Sequence, residues 1–252
     1  MNRKVILILA DGMRPDSMNH LPYVKELMNK SAYTMKAETT FPSVTLPCHF
    51  SLFLSVPTER HGISTNLYMP PVRPINGLFE QLAAAKKSSA VYYDWEQLRD
   101  LWQPGSVDYA VFSKGDYALN DEKHTTEAIE YIAGHSPDFV FLYLGYPDSA
   151  GHDHGWMTDE YMHSVEFVWK QIERIMEKYK DEYTFIITAD HGGHDRRHGE
   201  SIPEDMIIPL ILRGPDFAPG ELTGANIMDI APTVANLVGA ECAPEWEGKS
   251  LI

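Results

Sequence analysis

The sequence is poor in cysteine, in basic residues and in long apolar runs, and each of these shortages makes some classes of protein less plausible. Only two of its 252 residues are cysteines, Cys48 and Cys242, so we expect no disulfide framework and, as the simpler interpretation, a reducing compartment. Lysine and arginine number 21 against 36 acidic residues, and the resulting net charge of -15 would repel a nucleic acid polymer. A small anion is not excluded, because bound cations reverse the local field.

The apolar runs are too short to cross a membrane. The first one, Val5 to Ala10, follows a short basic start and ends at Asp11. A run of this length does not reach the apolar core of a signal peptide, and it is far shorter than a membrane-spanning helix. The sequence therefore predicts a cytoplasmic protein without a membrane partner.

The same runs have the length of buried strands. Residues 5–10, 138–144 and 183–189 are nearly continuous apolar segments, as in strands that are covered on both faces. Residues 158–179 repeat apolar positions at helical spacing, with Thr158 as the expected N-cap. Strands that alternate with helices predict an α/β fold, a three-layer α/β/α arrangement with a mostly parallel central sheet.

Weaker patterns complete the predicted order of elements. Further strands are predicted at 33–39, 90–93, 107–112 and 206–212, and further helices at 21–28, from Thr45 onward, at 76–86, 121–132 and 229–238. Pro209 lies inside one of these strands and predicts an edge position or a bulge, because proline cannot donate to a ladder. We expect a single domain over residues 1–252, in which about 67–134 could form a small cap or insertion.

Three aspartates follow predicted buried strands. Asp11 and Asp190 end two of them, and Asp148 comes just after a third. Because the carboxyl ends of parallel strands meet at one edge of a sheet, we expect the three carboxylates to converge. Each of them alone could be a turn residue. Together they would repel one another and raise each other's pKa, which two divalent cations would relieve.

Histidines accompany two of these aspartates. His152 follows Asp148 by four residues, and the stretch 190–198 holds three histidines and two aspartates. Imidazoles and carboxylates are ligands for zinc, manganese and iron. The alternative interpretation of 190–198 is a polar turn with solvated histidines, and the converging aspartates favour the metal site.

Thr45 and Pro47 predict the start of a helix. In one interpretation Thr45 is only a capping residue. In the other its hydroxyl faces the free N–H groups and the positive end of the helix dipole, where an alkoxide or a phosphate is stabilised. Next to a metal, such a hydroxyl is an activated nucleophile.

These motifs, taken in order along the chain, resemble the type I phosphodiesterase/nucleotide pyrophosphatase branch of the alkaline phosphatase superfamily. The resemblance rests on Asp11-Gly12, Thr45-Leu46-Pro47, His61-Gly62-Ile63, Asn66, Asp148 with Gly151-His152, Asp190-His191-Gly192 and the final Gly248-Lys249-Ser250-Leu251. It implies an alkaline-phosphatase-like core with at most a small cap. It also implies a hydrolase that cleaves a phosphodiester or phosphoanhydride of a small phosphorylated molecule.

The resemblance implies roles for individual residues. Thr45 resembles the nucleophile that forms a phosphothreonine, and Asn66 resembles the residue that holds a non-bridging oxygen together with the Thr45 backbone N–H. Two divalent metal ions are implied, with zinc expected first and manganese or iron next. Asp11, Thr45, Asp190 and His191 resemble the ligands of one metal, and Asp148, His152 and a later histidine those of the other. For that later histidine His198 is expected, because it is the last histidine of the chain, and His194 is its competitor.

Some features depart from the family pattern. Cys48 stands where nucleotide pyrophosphatases usually carry asparagine, and the segment from Thr40 to Pro47 looks closer to phosphonoacetate-hydrolase-like members. A phosphonate hydrolase or a phosphomonoesterase is therefore an alternative. A sulfatase would need Cys-x-Pro-x-Arg, which Cys48 does not begin. The non-enzymatic alternative is a metal-stabilised binding domain, against which Thr45 and Asn66 weigh, since metal binding alone requires neither.

Overall fold

The long apolar runs become the central strands of an eight-stranded sheet in the computed structural model, which describes residues 2–252. The strands are β1 (Lys4–Ala10), β2 (Ala32–Glu38), β3 (Ser89–Tyr93), β4 (Tyr109–Phe112), β5 (Phe139–Leu144), β6 (Tyr183–Thr188), β7 (Ile207–Arg213) and β8 (Gly220–Glu221). Their order across the sheet is β4-β3-β5-β1-β6-β7-β2-β8. Every residue of β5 and β6 is buried, as their continuous apolar sequence predicts.

The central part of the sheet is parallel. The strands β4, β3, β5, β1 and β6 all run in one direction, while β7 pairs antiparallel with both β6 and β2. The carboxyl ends of β1, β5 and β6 therefore lie side by side at one edge. The predicted mostly parallel α/β sheet is confirmed, and its order places the three aspartates next to one another.

Helices connect and cover the strands. They are α1 (Pro22–Met28), α2 (Thr45–Leu54), α3 (Thr58–His61), α4 (Leu78–Ala84), α5 (Tyr117–His135), α6 (Tyr146–His154), α7 (Asp159–Tyr179), α8 (Pro203–Met206) and α9 (Ile230–Val238). One group packs α2, α4 and α9 together, and another packs α5, α6 and α7. The Thr158 side chain accepts a hydrogen bond from the Tyr161 N–H and caps α7 as predicted. None of the described helices has both the length and the apolar composition that crossing a bilayer requires.

The strand that contains Pro209 lies inside the sheet, so an edge position is wrong and the predicted bulge is what the structure shows. On β2, the pairing with β7 shifts between Thr34 and Ala37, which face Leu210 and Ile208. Pro209 lies between these two partners. Its missing N–H therefore falls where the ladder is already interrupted.

Asp148, expected just past the end of a strand, lies in the first turn of α6, a helix that the sequence pattern did not predict. This helix is short and polar, so it has no clear apolar stripe to reveal it. Its helical geometry places Asp148 and His152 on the same face, because residues four apart lie above one another. The segment 67–134 supplies α4, β3, β4 and most of α5, and the prediction of one domain with a small cap stays a prediction.

Candidate metal and phosphoryl-transfer site

A cavity of about 300 Å³ opens at the carboxyl edge of β1, β5 and β6. Its walls are Asp11, Thr45, Asn66, Trp95, Tyr117, Tyr143, Gly145, Asp148, Ser149, His152 and His198. Six of the sequence-predicted residues thus line one cavity. The other two, Asp190 and His191, are fully buried beneath it.

The first cluster of side chains surrounds the Nε2 atom of His191. This atom lies 3.1 Å from the Thr45 hydroxyl, 3.3 Å from Asp11 Oδ1 and 3.4 Å from Asp190 Oδ2. The strands β1 and β6 deliver the carboxylates, and the N-terminus of α2 delivers the hydroxyl. Two carboxylates, one imidazole and one hydroxyl therefore meet at a single point.

The second cluster surrounds Asp148. Its Oδ1 atom lies 3.5 Å from His152 Nε2 and 3.6 Å from His198 Nε2. Ligand atoms of these three residues all lie within 4.8 Å of one another, and the same holds for Asp11, Asp148 and His191. Asp148 thus stands between the two clusters.

His194 does not join them. Its Nδ1 atom is bonded at 2.7 Å to the buried carboxylate of Asp205, whose other oxygen accepts the Glu200 N–H at 2.8 Å. This arrangement fixes the loop that carries His198. Of the two competing histidines, only His198 faces Asp148.

The three site histidines, His152, His191 and His198, share one hydrogen-bonding arrangement. The Nδ1 atom of each faces a backbone carbonyl, and because a carbonyl oxygen only accepts, the proton resides on Nδ1. These contacts are His191 to Gly192 at 2.7 Å, His152 to Arg196 at 3.0 Å and His198 to Ser43 at 2.8 Å. Each Nε2 lone pair is therefore turned toward the carboxylates, which is how metal-ligating histidines are held.

Some carboxylate oxygens of the site lack hydrogen-bond partners among the described residues, and a bound cation would neutralise their charge. Oxygen atoms of Asp11, Asp148 and Asp190 are buried without a hydrogen-bond partner within residues 2–252. Burial, and then the neighbouring carboxylate Asp11, raise the pKa of Asp148 to about 7. Burial, and then Asp148, raise the pKa of Asp190 to about 8. The residues fit a divalent metal, since unpaired buried carboxylates with converging imidazoles form a typical ligand set.

Thr45 and Asn66 face the cavity beside these clusters. Thr45 is the first residue of α2, and its N–H donates to no other group among residues 2–252. The Asn66 side-chain oxygen accepts the Leu46 N–H at 3.0 Å, which leaves the amide group of Asn66 to donate. Two N–H donors and the positive end of a helix therefore accompany the hydroxyl.

Sequence reasoning missed several residues that support the site. The Tyr143 hydroxyl donates to Asp11 Oδ2, and the Asp121 carboxylate accepts the N–H groups of Gly145 and Tyr146 at 3.0 and 3.2 Å. Asp121 thereby caps α6 from a different helix. Tyr143 sits inside an apolar run, and Asp121 lies 27 positions from Asp148, so no local pattern marks either one.

Cys48 takes no part in the cavity. It is fully buried one turn below Thr45, and its thiol faces the carbonyls of Thr40 and Pro42 at 3.9 and 3.8 Å. Burial raises the pKa of this thiol well above its ordinary range. It is therefore not a nucleophile of the site.

A parallel sheet whose edge gathers carboxylates, imidazoles and a hydroxyl defines a class, the metal-binding α/β enzymes. The model of the Metalloenzyme superfamily matches residues 108–242, and that of type I phosphodiesterase/nucleotide pyrophosphatase matches residues 5–115. The chain belongs to the type I phosphodiesterase/nucleotide pyrophosphatase family of the alkaline phosphatase superfamily. Membership in the Metalloenzyme superfamily implies divalent metal binding, which the ligand set described above fits.

Individual relatives agree with the family. Ectonucleotide pyrophosphatase/phosphodiesterase family member 1 of Mus musculus is 24% identical over 216 residues, which cover 74% of this chain and 24% of that protein. GPI ethanolamine phosphate transferase 1 of Gibberella zeae is 24% identical over 272 residues, 89% of this chain and 27% of that one. The chain thus spans about a quarter of the length of these curated relatives.

Solved structures confirm the fold. Murine ectonucleotide pyrophosphatase/phosphodiesterase 5 superposes with a TM-score of 0.78 at 15% identity and covers 96% of both chains. An inactive threonine-to-alanine variant of that protein, in complex with AMP, superposes with a TM-score of 0.76 at 16% identity and covers the same share of both chains. The phosphonate monoester hydrolase of Agrobacterium radiobacter reaches a TM-score of 0.78 at 14% identity, over 99% of this chain and 76% of that one.

Proposed function

We propose that the protein cleaves a phosphodiester or phosphoanhydride of a small molecule by way of a phosphothreonine on Thr45. One observation carries the proposal: the Thr45 hydroxyl lies in the cavity at the start of α2, 3.1 Å from His191 Nε2. A capping residue would turn its oxygen toward the N–H groups of its own helix, and the Thr45 hydroxyl faces the carboxylate and imidazole cluster instead. The inactive threonine-to-alanine variant of the murine structural neighbour supports a nucleophilic threonine.

Two groups of residues would hold the metals. Asp11, Thr45, Asp190 and His191 would bind one ion, and Asp148, His152 and His198 the other. When bound, two divalent cations would lower the pKa of the Thr45 hydroxyl and neutralise charge on the leaving oxygen. Zinc is our first choice because the ligands mix imidazole with carboxylate, and manganese or iron come next.

The reaction then depends on the placement of the chain's own groups. The Thr45 hydroxyl loses its proton to water and its oxygen attacks phosphorus, a P–O bond to Thr45 forms, and the bond to the leaving group breaks with its electron pair on the departing oxygen. The Thr45 N–H and the Asn66 amide donate to a non-bridging oxygen, and the α2 N-terminus stabilises its negative charge. A water molecule then displaces Thr45 from phosphorus and regenerates the hydroxyl.

A phosphonate hydrolase is the second candidate. It is supported by the segment Thr40 to Pro47, which resembles phosphonoacetate-hydrolase-like members, and by the fold shared with a phosphonate monoester hydrolase. A sulfatase is disfavoured because Cys48, the cysteine nearest the nucleophile, is buried away from the cavity. We also propose that the substrate is a small phosphorylated molecule, since the net charge of -15 opposes longer polyanions, and that the protein acts in the cytoplasm, since two distant cysteines suit a reducing compartment.

A release assay on metal-analysed protein tests the choice of ester. The panel is bis-p-nitrophenyl phosphate, the thymidine p-nitrophenyl diester, p-nitrophenyl phosphate, phosphonoacetate and p-nitrophenyl sulfate. We expect the diesters to be turned over fastest. Preference for phosphonoacetate would establish the second candidate, and bound metal without turnover of any ester would support a binding domain.

The intermediate can be tested separately. Protein mixed with a diester and quenched in acid should carry a phosphoryl group on the peptide that contains Thr45, detected by mass spectrometry. Rapid release of the first product should precede steady turnover. Steady turnover with an unmodified peptide and no burst would argue for direct attack by water.

A further inference from the structure

Trp156 lies in the short connection between α6 and α7 and has no role in the site described so far. It is 6% exposed and is neither a metal-ligand type nor a lining residue of the cavity. Three segments that carry site residues meet on its side chain. These are the turn after β1, the helix α6 and the loop after β6.

The indole ring fills a slot between two glycines. A Cβ atom on Gly151 would lie 2.6 Å from the Cε2 atom of the ring, and one on Gly193 would lie 2.2 Å from it. Both glycines therefore leave room for the ring and for nothing else. Gly151 precedes His152 in α6, and Gly193 belongs to the loop of His191 and His198, so the ring sets the distance between these two segments.

The ring also touches the imidazoles themselves. Its plane meets that of His152 at 85° with 5.2 Å between centroids, and that of His198 at 66° with 5.9 Å between centroids. Edge contacts of this kind fix ring orientation without competing for the Nε2 lone pairs. The two imidazoles of the Asp148 cluster thus share one packing partner.

Hydrogen bonds connect the indole to the first cluster, the one around His191 Nε2 that contains Asp190. Its Nε1–H donates to the Gly12 carbonyl at 2.9 Å, and the Gly12 N–H donates to Asp190 Oδ1 at 3.2 Å. The Trp156 backbone N–H donates to the Asp195 carbonyl at 2.7 Å. The ring therefore cannot shift in its slot without loosening the turn after β1.

We propose that Trp156 is a positioning residue that holds His152 and His198 at the spacing needed to bind the second metal. The inference rests on the proposed two-metal function. A loose imidazole must be ordered when the metal binds, and this cost appears as lost affinity. Partners outside the ligand shell change metal affinity about 10- to 100-fold when they are removed, and we expect a loss of at least about 10-fold here.

The test compares Trp156→Phe with Trp169→Phe. Trp169 is the control for loss of a buried indole, because it is 3% exposed, lies in α7 and, unlike Trp156, has no hydrogen-bond partner for its Nε1 within residues 2–252. Metal-free protein is titrated with Zn²⁺ against a chromophoric chelator, and thermal unfolding is recorded without metal. We expect Trp156→Phe to weaken one of two Zn²⁺ equivalents about 10-fold or more, and Trp169→Phe to leave both within about twofold of the parent.

A second variant, Gly151→Ala, changes one of the two glycines that flank the Trp156 ring. Gly151→Ala keeps the tryptophan and favours the helix, while its methyl group would displace the ring, and thermal unfolding without metal checks that the variant is folded. It should weaken the same Zn²⁺ equivalent, and in the His198→Ala background neither change should weaken Zn²⁺ binding further. If Trp156→Phe does not fold, Gly151→Ala decides the question alone.

Parental Zn²⁺ affinity in Gly151→Ala, or an equal loss in Trp156→Phe and Trp169→Phe, would overturn the proposal. A parent protein that binds none of Zn²⁺, Mn²⁺ and Fe²⁺ would instead refute the proposed function, before any variant is compared. The two failures are therefore distinguishable. Zn²⁺ affinity is also independent of turnover, so an unknown substrate does not affect the result.

Discussion

The Thr45 hydroxyl lies 3.1 Å from the Nε2 atom of His191, although 146 positions separate the two residues. Thr45 opens α2, and His191 follows β6, so the contact joins a helix N-terminus to the edge of the sheet. Both side chains are buried or nearly so. A hydroxyl in this place has free N–H donors on one side and proposed metal ligands on the other.

Thr45→Ala should nearly abolish diester hydrolysis and leave most of the metal bound, because the carboxylates and imidazoles remain. Thr45→Ser should retain part of the activity, since it keeps the oxygen and loses only a methyl group. Steady-state rates and elemental analysis of both variants provide the measurement. Hydrolysis by Thr45→Ala at close to the parental rate would rule out this nucleophile.

Metal removal should stop turnover and lower thermal stability. Carboxylate oxygens of Asp11, Asp148 and Asp190 are buried without partners, and a ligand that binds only the folded state stabilises it. We expect about two ions per chain by elemental analysis, a lower Tm after treatment with chelator, and recovery with Zn²⁺. No bound metal, together with activity indifferent to chelator, would contradict the two-metal site.

His198→Ala should impair the second metal site far more than His194→Ala does. The Nε2 atom of His198 faces Asp148, whereas His194 is bonded to Asp205 at 2.7 Å. His194→Ala leaves a buried carboxylate with one partner fewer, so it should cost about 1–3 kcal/mol of stability and little metal affinity. Zn²⁺ titration and thermal unfolding of both variants decide this, and loss of metal confined to His194→Ala would reverse the assignment.

Asn66→Ala should lower kcat about 10²- to 10³-fold, the usual effect of removing one donor to a developing oxyanion. Part of the effect could come from the Leu46 N–H, which loses its acceptor. Asn66→Asp keeps that acceptor and removes the amide donor, so it serves as the matched variant. If Asn66→Asp retained parental kcat, Asn66 would act on the backbone alone.

Asp94→Asn should stabilise the metal-free protein above neutral pH. Asp94 is 6% exposed and neither carboxylate oxygen has a partner within residues 2–252. Burial raises the pKa of Asp94 from its ordinary value of 3.8 to about 7. The Asp94 carboxylate in turn adds to the effect of burial in raising the pKa of the buried Asp121 carboxyl well above its ordinary range.

The sign follows from proton binding. Between about pH 4 and pH 7 the unfolded chain has released a proton that the folded chain still holds, so stability falls as the pH rises through this window. The Tm difference between Asp94→Asn and the parent should therefore be larger at about pH 8 than at about pH 5. The exposed Asp181 supplies the control Asp181→Asn. A Tm difference that does not change with pH would contradict the prediction.

Features that depend on residues adjacent in the chain could be predicted from the sequence. The runs of β1, β5 and β6 are apolar because both faces of a parallel strand are covered, so their ends, and the aspartates there, could be located. The cap of α7 and the start of α2 follow from local residue preferences in the same way. The fold class and the convergence of Asp11, Asp148 and Asp190 were therefore predictable.

Other features depend on contacts between distant segments. The sequence left open whether Pro209 marks an edge strand or a bulge, because nothing in it shows that β2 and β8 continue the sheet beyond β7. The choice between His194 and His198 also depends on such a contact, since both are spaced as ligands and only the hydrogen bond to the Asp205 carboxylate of α8 turns His194 away from Asp148.

The sequence by itself determined the alternating elements, the residues at the strand ends and the family, because each depends on local periodicity or on a fixed order of motifs. The tertiary structure alone decided which side chains face one another: His198 toward Asp148, Cys48 away from the cavity, and Trp156 between two glycines. The physical reason is that packing and burial are properties of segments brought together by folding. A single stretch of sequence carries the donor atoms, but their directions are set by partners elsewhere in the chain.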